Sequence, residues 1–129
     1  MKQIFWTLLL FSLLISACGN SKEEKASSLP DGDAERGENL FTQSIKGAPA
    51  CSACHNTDGT ALVGPGFENF GETAAARQSD TSAEDYAYTS ITRPGAYVVD
   101  GFSNAMYTQY GQRLSDQQIA DLIAYLLGL

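Results

Sequence analysis

Two cysteines and the only histidine of the chain stand together as Cys51-Ser52-Ala53-Cys54-His55. Two thiols at this spacing, followed at once by an imidazole, could form thioether bonds to the vinyl groups of a haem while the histidine binds the iron. The two intervening residues allow a turn to present both sulfurs along one haem edge. The motif therefore predicts covalent haem attachment through Cys51 and Cys54, with His55 as an axial ligand.

Three other interpretations of the two thiols compete with haem attachment. A thioredoxin-like dithiol would sit between a strand and a helix, whereas this motif lies among glycines and prolines. A structural zinc site needs four ligands, and two thiols with one histidine supply only three. A structural disulfide across two residues would close a strained ring. Haem attachment is the interpretation that uses all three side chains.

Met106 is the candidate for the second axial position of the iron. It is the only methionine besides Met1 and follows His55 by about fifty residues, in a polar, irregular stretch. A thioether ligand favours ferrous iron and raises the reduction potential. The competing interpretation is a methionine that fills the core, which is the usual role of this residue.

The start of the chain has the layout of an export signal. A lysine and an apolar run from Ile4 to Ile15 precede small residues and then Cys18, as in a secretory signal peptide. The five residues that end at Cys18, Leu-Ile-Ser-Ala-Cys, resemble the lipobox of bacterial lipoproteins, whose cysteine is lipidated and becomes the new N-terminus. We predict a signal peptide over residues 1–17, lipidation of Cys18 and a flexible, polar tether over residues 18–32. The competing interpretation leaves Cys18 as a free thiol.

The rest of the chain, residues 33–129, is predicted to form one mostly helical domain. Glycines and prolines over residues 47–71 indicate an irregular loop that carries the haem motif. Short helices alone make a thin core, so a bound prosthetic group is expected to complete it. Periodicity and capping residues predict three helices: one between Asp33 and Ser44, one from Thr81 or Ser82 to just before Pro94, and one after Ser115 with an apolar stripe of Ile119, Leu122, Ile123, Leu126 and Leu127.

The length and the charge of the chain limit the classes of function that it can have. The 129 residues, 43% of them hydrophobic, suffice for one small domain and a targeting segment. Eight lysines and arginines stand against 15 aspartates and glutamates, which argues against a nucleic-acid partner because phosphates require a basic surface. The acidic balance instead predicts docking onto basic surfaces of partner proteins.

Residues 33–129 resemble the class I c-type cytochromes. In that family an N-terminal helix with a glycine and an aromatic residue, here Gly37 and Phe41, crosses a C-terminal helix with an aromatic residue, here Tyr125. The resemblance implies an all-α class I cytochrome c fold of short helices around one covalently bound haem c.

The haem loop of these cytochromes carries a Gly-Pro pair, matched here by Gly64-Pro65. In the family the proline carbonyl accepts the hydrogen bond of the proximal histidine, so the resemblance implies that Pro65 orients His55. The stretch from Ile91 to Met106 is similar to small bacterial cytochromes and to the cytochrome domains of haem–copper oxidases.

The sequence departs from the family pattern at two points. Tyr107 follows Met106 where a proline is frequent, and the chain has no tryptophan beyond the signal segment to bind a haem propionate. The residues that could replace the tryptophan are Tyr97, Arg93 and Tyr110.

The predicted function is one-electron transfer. Two axial ligands leave no open iron position, and no other group of residues suits acid–base or nucleophilic catalysis, so we expect neither an enzyme nor a small-molecule substrate. The carrier would be anchored through Cys18 to a membrane outside the cytoplasm, in a respiratory or photosynthetic chain. Its partners would be redox proteins such as a quinol-oxidising complex and a terminal oxidase.

Two alternative functions keep the haem. One is a permanently bound electron-entry subunit of a membrane oxidoreductase complex. The other is a haem-based sensor of a small ligand, in which Met106 is displaced from the iron.

Overall fold

The computed structural model describes residues 26–129. The predicted signal peptide, Cys18 and residues 18–25 lie outside the described residues. The described part contains five α-helices and two short 3-10 turns and no named strand, which confirms the predicted all-α fold. None of these helices has the length and hydropathy required to span a membrane. The helices are α1 (Ala34–Phe41), α2 (Phe70–Arg77), α3 (Ala83–Thr92), α4 (Tyr110–Arg113) and α5 (Asp116–Leu127), and the turns are Ala26–Ser28 and Cys51–Ala53.

The middle and last predicted helices begin where their capping residues placed them. The side chain of Ser82 accepts a hydrogen bond from the backbone N–H of Asp85 at 3.0 Å, at the start of α3. Ser115 and Gln118 form a complete capping box at the start of α5. Because these bonds satisfy N–H groups that the helix itself leaves free, they define both helix starts locally.

Helices α1 and α5 cross with their backbones in close contact. A Cβ atom on Gly37 would overlap the backbone carbonyl of Asp121 and the side chain of Tyr125, so the backbones meet without a side chain between them. The rings of Phe41 and Tyr125 pack beside this point at 5.6 Å between centroids. The crossing implied by the family resemblance is present.

A buried carboxylate ties the two helices together at this crossing. Asp121, 2% exposed, accepts hydrogen bonds from the backbone N–H of Asp33 at 2.8 Å and from the Nε and Nη2 atoms of Arg36 at 2.8 Å each. Gln117 adds a further bond at 2.9 Å. The hydrogen bonds from Arg36, more than any other cause, lower the pKa of Asp121 to about 2.

The sequence analysis did not assign α2 and α4. It left residues 47–71 as loop, yet α2 begins at Phe70, directly after Asn69 in a left-handed conformation with φ of 50°. Only Phe70 and Ala74 of α2 are buried, and α4 spans a single turn. Two buried residues in α2 and a single turn in α4 are too few to show a helical period.

The tether prediction needs correction over residues 26–32, which we name the N-terminal strap. The backbone N–H of Ala26 bonds to Asp85 of α3 at 3.0 Å, and Leu29 packs against the core. A Cβ atom on Gly32 would overlap the carbonyl of Ala120 in α5. The strap has a polar composition, but the packing of Leu29 and the close contact of Gly32 with α5 hold it against the domain.

Candidate functional site

The cysteine motif forms a tight turn at the edge of a cavity enclosed by the helices and the loops between them. The N–H groups of Cys54 and His55 both bond to the carbonyl of Cys51, at 3.1 and 3.0 Å. Cys51 and Cys54 form no disulfide, and each is half-buried. This turn brings both sulfurs and the imidazole to the lining of one cavity.

A second loop closes over the histidine. The N–H of Gly64 bonds to the carbonyl of Cys54, and the N–H of Phe67 bonds to that of Asn56, both at 2.9 Å. A Cβ atom on Gly64 would overlap the imidazole of His55. Glycine is therefore required at position 64 for the loop to pass the histidine ring.

The ring of His55 is held on one edge and one face. Its Nδ1 atom lies 2.8 Å from the carbonyl oxygen of Pro65, and since that oxygen can only accept, Nδ1 carries the hydrogen. Phe67 stacks on the ring at 4.4 Å, with 14° between the planes. The Nε2 atom is left as the acceptor that can bind a metal. The contact implied for Pro65 by the family resemblance is thus present.

Burial lowers the pKa of His55, and its hydrogen bond to Pro65 acts in the opposite direction. Burial likewise raises the pKa of the Cys51 thiol to about 11. Both shifts have the same cause, which is an apolar environment that disfavours charge. The imidazole is therefore neutral at neutral pH, and this is the form that binds metal ions.

All five residues predicted to hold the haem line this single cavity, which has a volume of about 370 Å³. The five are Cys51, Cys54, His55, Pro65 and Met106. Cys18, the predicted lipidation site, lies outside the described residues. The structure thus brings together residues that are up to 55 positions apart in the chain.

Met106 is half-buried, lines the cavity and packs against the hydrophobic core. It follows a turn in which the N–H of Ala105 bonds to the carbonyl of Ser103 at 2.8 Å. The position suits both interpretations of this residue, because a side chain that lines the cavity can also contact a group bound inside it.

Tyr110 closes the part of the cavity near the cysteines. Its hydroxyl donates a hydrogen bond to the carbonyl of Pro49 at 2.9 Å, and its ring packs edge-on against Tyr107 at 5.2 Å. Burial, with smaller contributions from Cys51 and Cys54, raises the pKa of Tyr110 far above its usual value. The hydroxyl therefore remains a donor committed to the backbone.

The wall of the cavity is mostly apolar and includes a row of aromatic rings. A series of ring contacts runs from His55 to Phe67, from Phe67 to Phe70 at 5.0 Å, and from Phe70 to Tyr86 at 6.4 Å. Sequence analysis missed Phe67, although an aromatic residue two positions after the Gly-Pro pair was visible. An apolar, aromatic lining with two thiols and one metal-binding nitrogen fits a haem.

The other interpretations of the thiols gain no support from the site. Among residues 26–129, no three side chains of histidine, cysteine, aspartate or glutamate are grouped so that they could hold a metal ion. The motif lies in a 3-10 turn that follows irregular chain, unlike the strand-to-helix junction of a thioredoxin-like dithiol.

The comparison with protein families agrees with this geometry. No curated protein matches the chain. The family model described as Cytochrome c matches residues 34–129, which is most of the chain and nearly all of the domain. The chain therefore belongs to the cytochrome c family and binds haem c covalently through Cys51 and Cys54, with His55 completing the haem-binding motif.

Proposed function

We propose that the protein is a membrane-tethered carrier of single electrons, whose haem iron is bound by His55 and Met106. The observation that carries the proposal is the convergence of both candidate ligands and both cysteines on one cavity. Bound haem supplies a reversible one-electron change between ferric and ferrous iron.

The chain's own residues keep His55 in one orientation. The carbonyl of Pro65 holds the Nδ1–H group, which fixes the ring and makes the opposite nitrogen a better electron donor. The stacked ring of Phe67 limits tilting of the imidazole. A ligand held in this way changes position little between the two oxidation states, as rapid electron transfer requires.

Met106 would set the reduction potential. A thioether stabilises ferrous iron, and an apolar site disfavours the extra charge of ferric iron. With this ligand in place no iron position is open to a substrate. Members of the cytochrome c family are typically carriers, which agrees with this assignment.

A small apolar surface would admit the partner proteins. Leu62 and Val63 are the exposed large hydrophobic residues of the described part, at 49% and 53%, and Val63 also lines the cavity. The carboxylates of Asp58 and Glu68 are exposed in the same loop. Apolar contact within an acidic rim suits a basic redox partner, such as a quinol-oxidising complex or a terminal oxidase.

The strap supports tethering through Cys18. It contacts Ala120 and Asp85, whereas Leu122 and Leu126 of the same helix α5 line the cavity. Ala26, where the described residues begin, is therefore held by α3 through Asp85, which does not line the cavity. An anchored domain would present its haem to partners rather than to the lipid.

Replacement of Met106 by alanine tests the proposal. The variant should keep its covalent haem, because the thioethers and His55 remain, but its reduction potential should fall since a ligand that favours ferrous iron is lost. The native ferric protein should show the weak long-wavelength absorption band of iron-bound methionine, and the variant should lack it.

Carbon monoxide binding is the measurement that could contradict ligation by Met106. The reduced variant should bind it readily, whereas the reduced native protein should resist it. If the native protein lacks the methionine band and binds carbon monoxide as readily as the variant, Met106 is not a ligand and the sensor interpretation replaces the carrier.

A further inference from the structure

Arg77 presents a polar atom that the described protein does not satisfy. Arg77 is the last residue of α2, and within residues 26–129 its Nη1 atom is the single buried side-chain nitrogen or oxygen without a hydrogen-bond partner. Buried polar groups in native proteins nearly always have partners, and an exception points to a missing ligand or water.

The guanidinium group is positioned at the cavity. Arg77 lines it, as do Tyr86 and Tyr97. The guanidinium carbon lies 6.0 Å from the ring centroid of Tyr86, a cation–π arrangement that holds the charge over the aromatic wall. Tyr86 in turn packs edge-on against Tyr97 at 5.8 Å.

The cavity offers this cation no counter-ion of its own. The salt bridges of the described residues join Arg36 to Asp33 and Asp121, and none involves Arg77. Haem carries two propionate carboxylates on the edge away from its vinyl groups. A planar guanidinium is the side chain best suited to bind a carboxylate through paired hydrogen bonds.

The three propionate partners suggested by sequence fit less well. The Tyr110 hydroxyl donates its hydrogen bond to the carbonyl of Pro49, two positions before Cys51, and is therefore directed towards the cysteine motif. Arg93 is exposed and does not line the cavity. Tyr97 lines the cavity but carries no positive charge.

We propose that Arg77, held against Tyr86, binds a propionate of the haem through its unpartnered Nη1 atom. Arg77 acts here as a positioning and charge-balancing residue. The assignment depends on the covalent haem and is independent of Met106, so a failure of methionine ligation would leave it standing.

The test measures the reduction potential of the holoprotein against pH in the variants Arg77→Gln, Arg77→Lys and Arg93→Gln. In the native protein Arg77 keeps the propionate ionised, so the potential should vary little between about pH 5 and pH 7. In Arg77→Gln the potential should shift to lower values. It should also fall as pH rises through this range, because the propionate now loses its proton there.

The other two variants act as controls. Arg77→Lys keeps the charge and should restore most of the native pH profile. Arg93→Gln changes the net charge equally and should leave the profile unchanged. A role only at the C-terminal end of α2 would lower the stability of Arg77→Gln without altering the profile, and that result would overturn the proposal. A shifted profile in Arg93→Gln alone would overturn it too.

A measurement on the native holoprotein keeps the proposal testable if Arg77→Gln does not fold. In reduced, nitrogen-15-labelled protein, the guanidinium protons of Arg77 should show nuclear Overhauser contacts to the propionate methylene protons of the haem. Guanidinium protons that are resolved but show contacts only to Tyr86 would overturn the proposal.

Discussion

Gly64 is the residue on which the position of the histidine ring depends most directly. The loop that carries it bonds to the carbonyl of Cys54 and delivers the Pro65 carbonyl to His55. Both contacts require the backbone to pass the imidazole where a Cβ atom has no room. Because residue 64 is a glycine, the loop can pass the imidazole and the Pro65 carbonyl can bind His55.

Replacement of Gly64 by alanine should displace either the loop or the imidazole. We expect a lower yield of holoprotein. We also expect the free energy of unfolding to fall by about 1–3 kcal/mol, as is usual when a side chain is forced into a filled space. Absorption spectra and thermal unfolding measure the two effects. The control is Gly128→Ala, whose Cβ atom would make only ordinary contacts, the nearest at 3.4 Å. Equal effects in both variants would contradict the argument.

At the scale of elements, the crossing of α1 and α5 supports the whole site. These two helices come from opposite ends of the domain, and their junction holds Phe41, Leu122 and Leu126 in the cavity lining. Asp121 joins the start of α1 to the middle of α5 through bonds from Asp33 and Arg36. A carboxylate can be buried here because both of its oxygens accept hydrogen bonds.

Replacement of Asp121 by asparagine should lower the free energy of unfolding at neutral pH by about 1–3 kcal/mol, because it removes a charged acceptor from a buried network. Urea denaturation of the holoprotein measures the change. Asp100→Asn serves as the control, since Asp100 is exposed and the change in net charge is the same. A loss no larger than that of the control would show that the network contributes nothing.

The same carboxylate predicts the acid sensitivity of the fold. The pKa of Asp121 is lowered from 3.8 to about 2, so the folded state holds this proton less tightly than the unfolded state does. Its stabilisation is complete above about pH 4 and is lost as pH falls from there towards 2. The stability difference between the native protein and Asp121→Asn should therefore shrink over this interval. A difference that stays constant would contradict the assigned pKa.

At the scale of the whole molecule, the strap and the cavity lie on different faces of α3 and α5. Strap contacts fall on Asp85 and Ala120, and cavity contacts fall on Tyr86, Leu122 and Leu126. Attachment at the N-terminus and exposure of the haem loop are therefore compatible in one small domain.

Replacement of Cys18 by serine should release an otherwise intact cytochrome from membranes. The haem content should not change, because the cysteines of the haem motif are untouched. Membrane fractionation after a wash that removes peripheral proteins measures the release, with haem absorbance to follow the protein. Recovery of the variant in the washed membranes would favour a retained signal helix over a lipid anchor.

Charge should govern encounters with partner proteins. From residue 31 onward the chain has five basic and thirteen acidic residues, and the haem propionates are also acidic. Electron transfer with a basic partner should slow as salt rises, since screening acts beyond about 10 Å at 0.1 M ionic strength. Stopped-flow rates measure this, with an uncharged small oxidant as the control. A rate that does not respond to salt would mean that the acidic surface serves only solubility.

The sequence by itself determined the features that depend on residues close together in the chain. The haem motif is one turn of backbone, and the starts of α3 and α5 rest on hydrogen bonds across three positions. The apolar stripe of α5 repeats within a single helix. Such interactions are complete within a few residues, so their chemistry can be recognised before the chain is folded.

Only the tertiary structure decided the features that join distant residues. Asp121 bonds to Asp33 across 88 positions, and Ala26 bonds to Asp85 across 59. Arg77 reaches the cavity because α2, which its sequence barely indicates, packs beside α3. In each case packing brings the two residues together, and the residues around each of them in the sequence do not predict the contact. This is why the haem-attachment motif was predictable while the strap, the buried carboxylate and the cavity arginine were not.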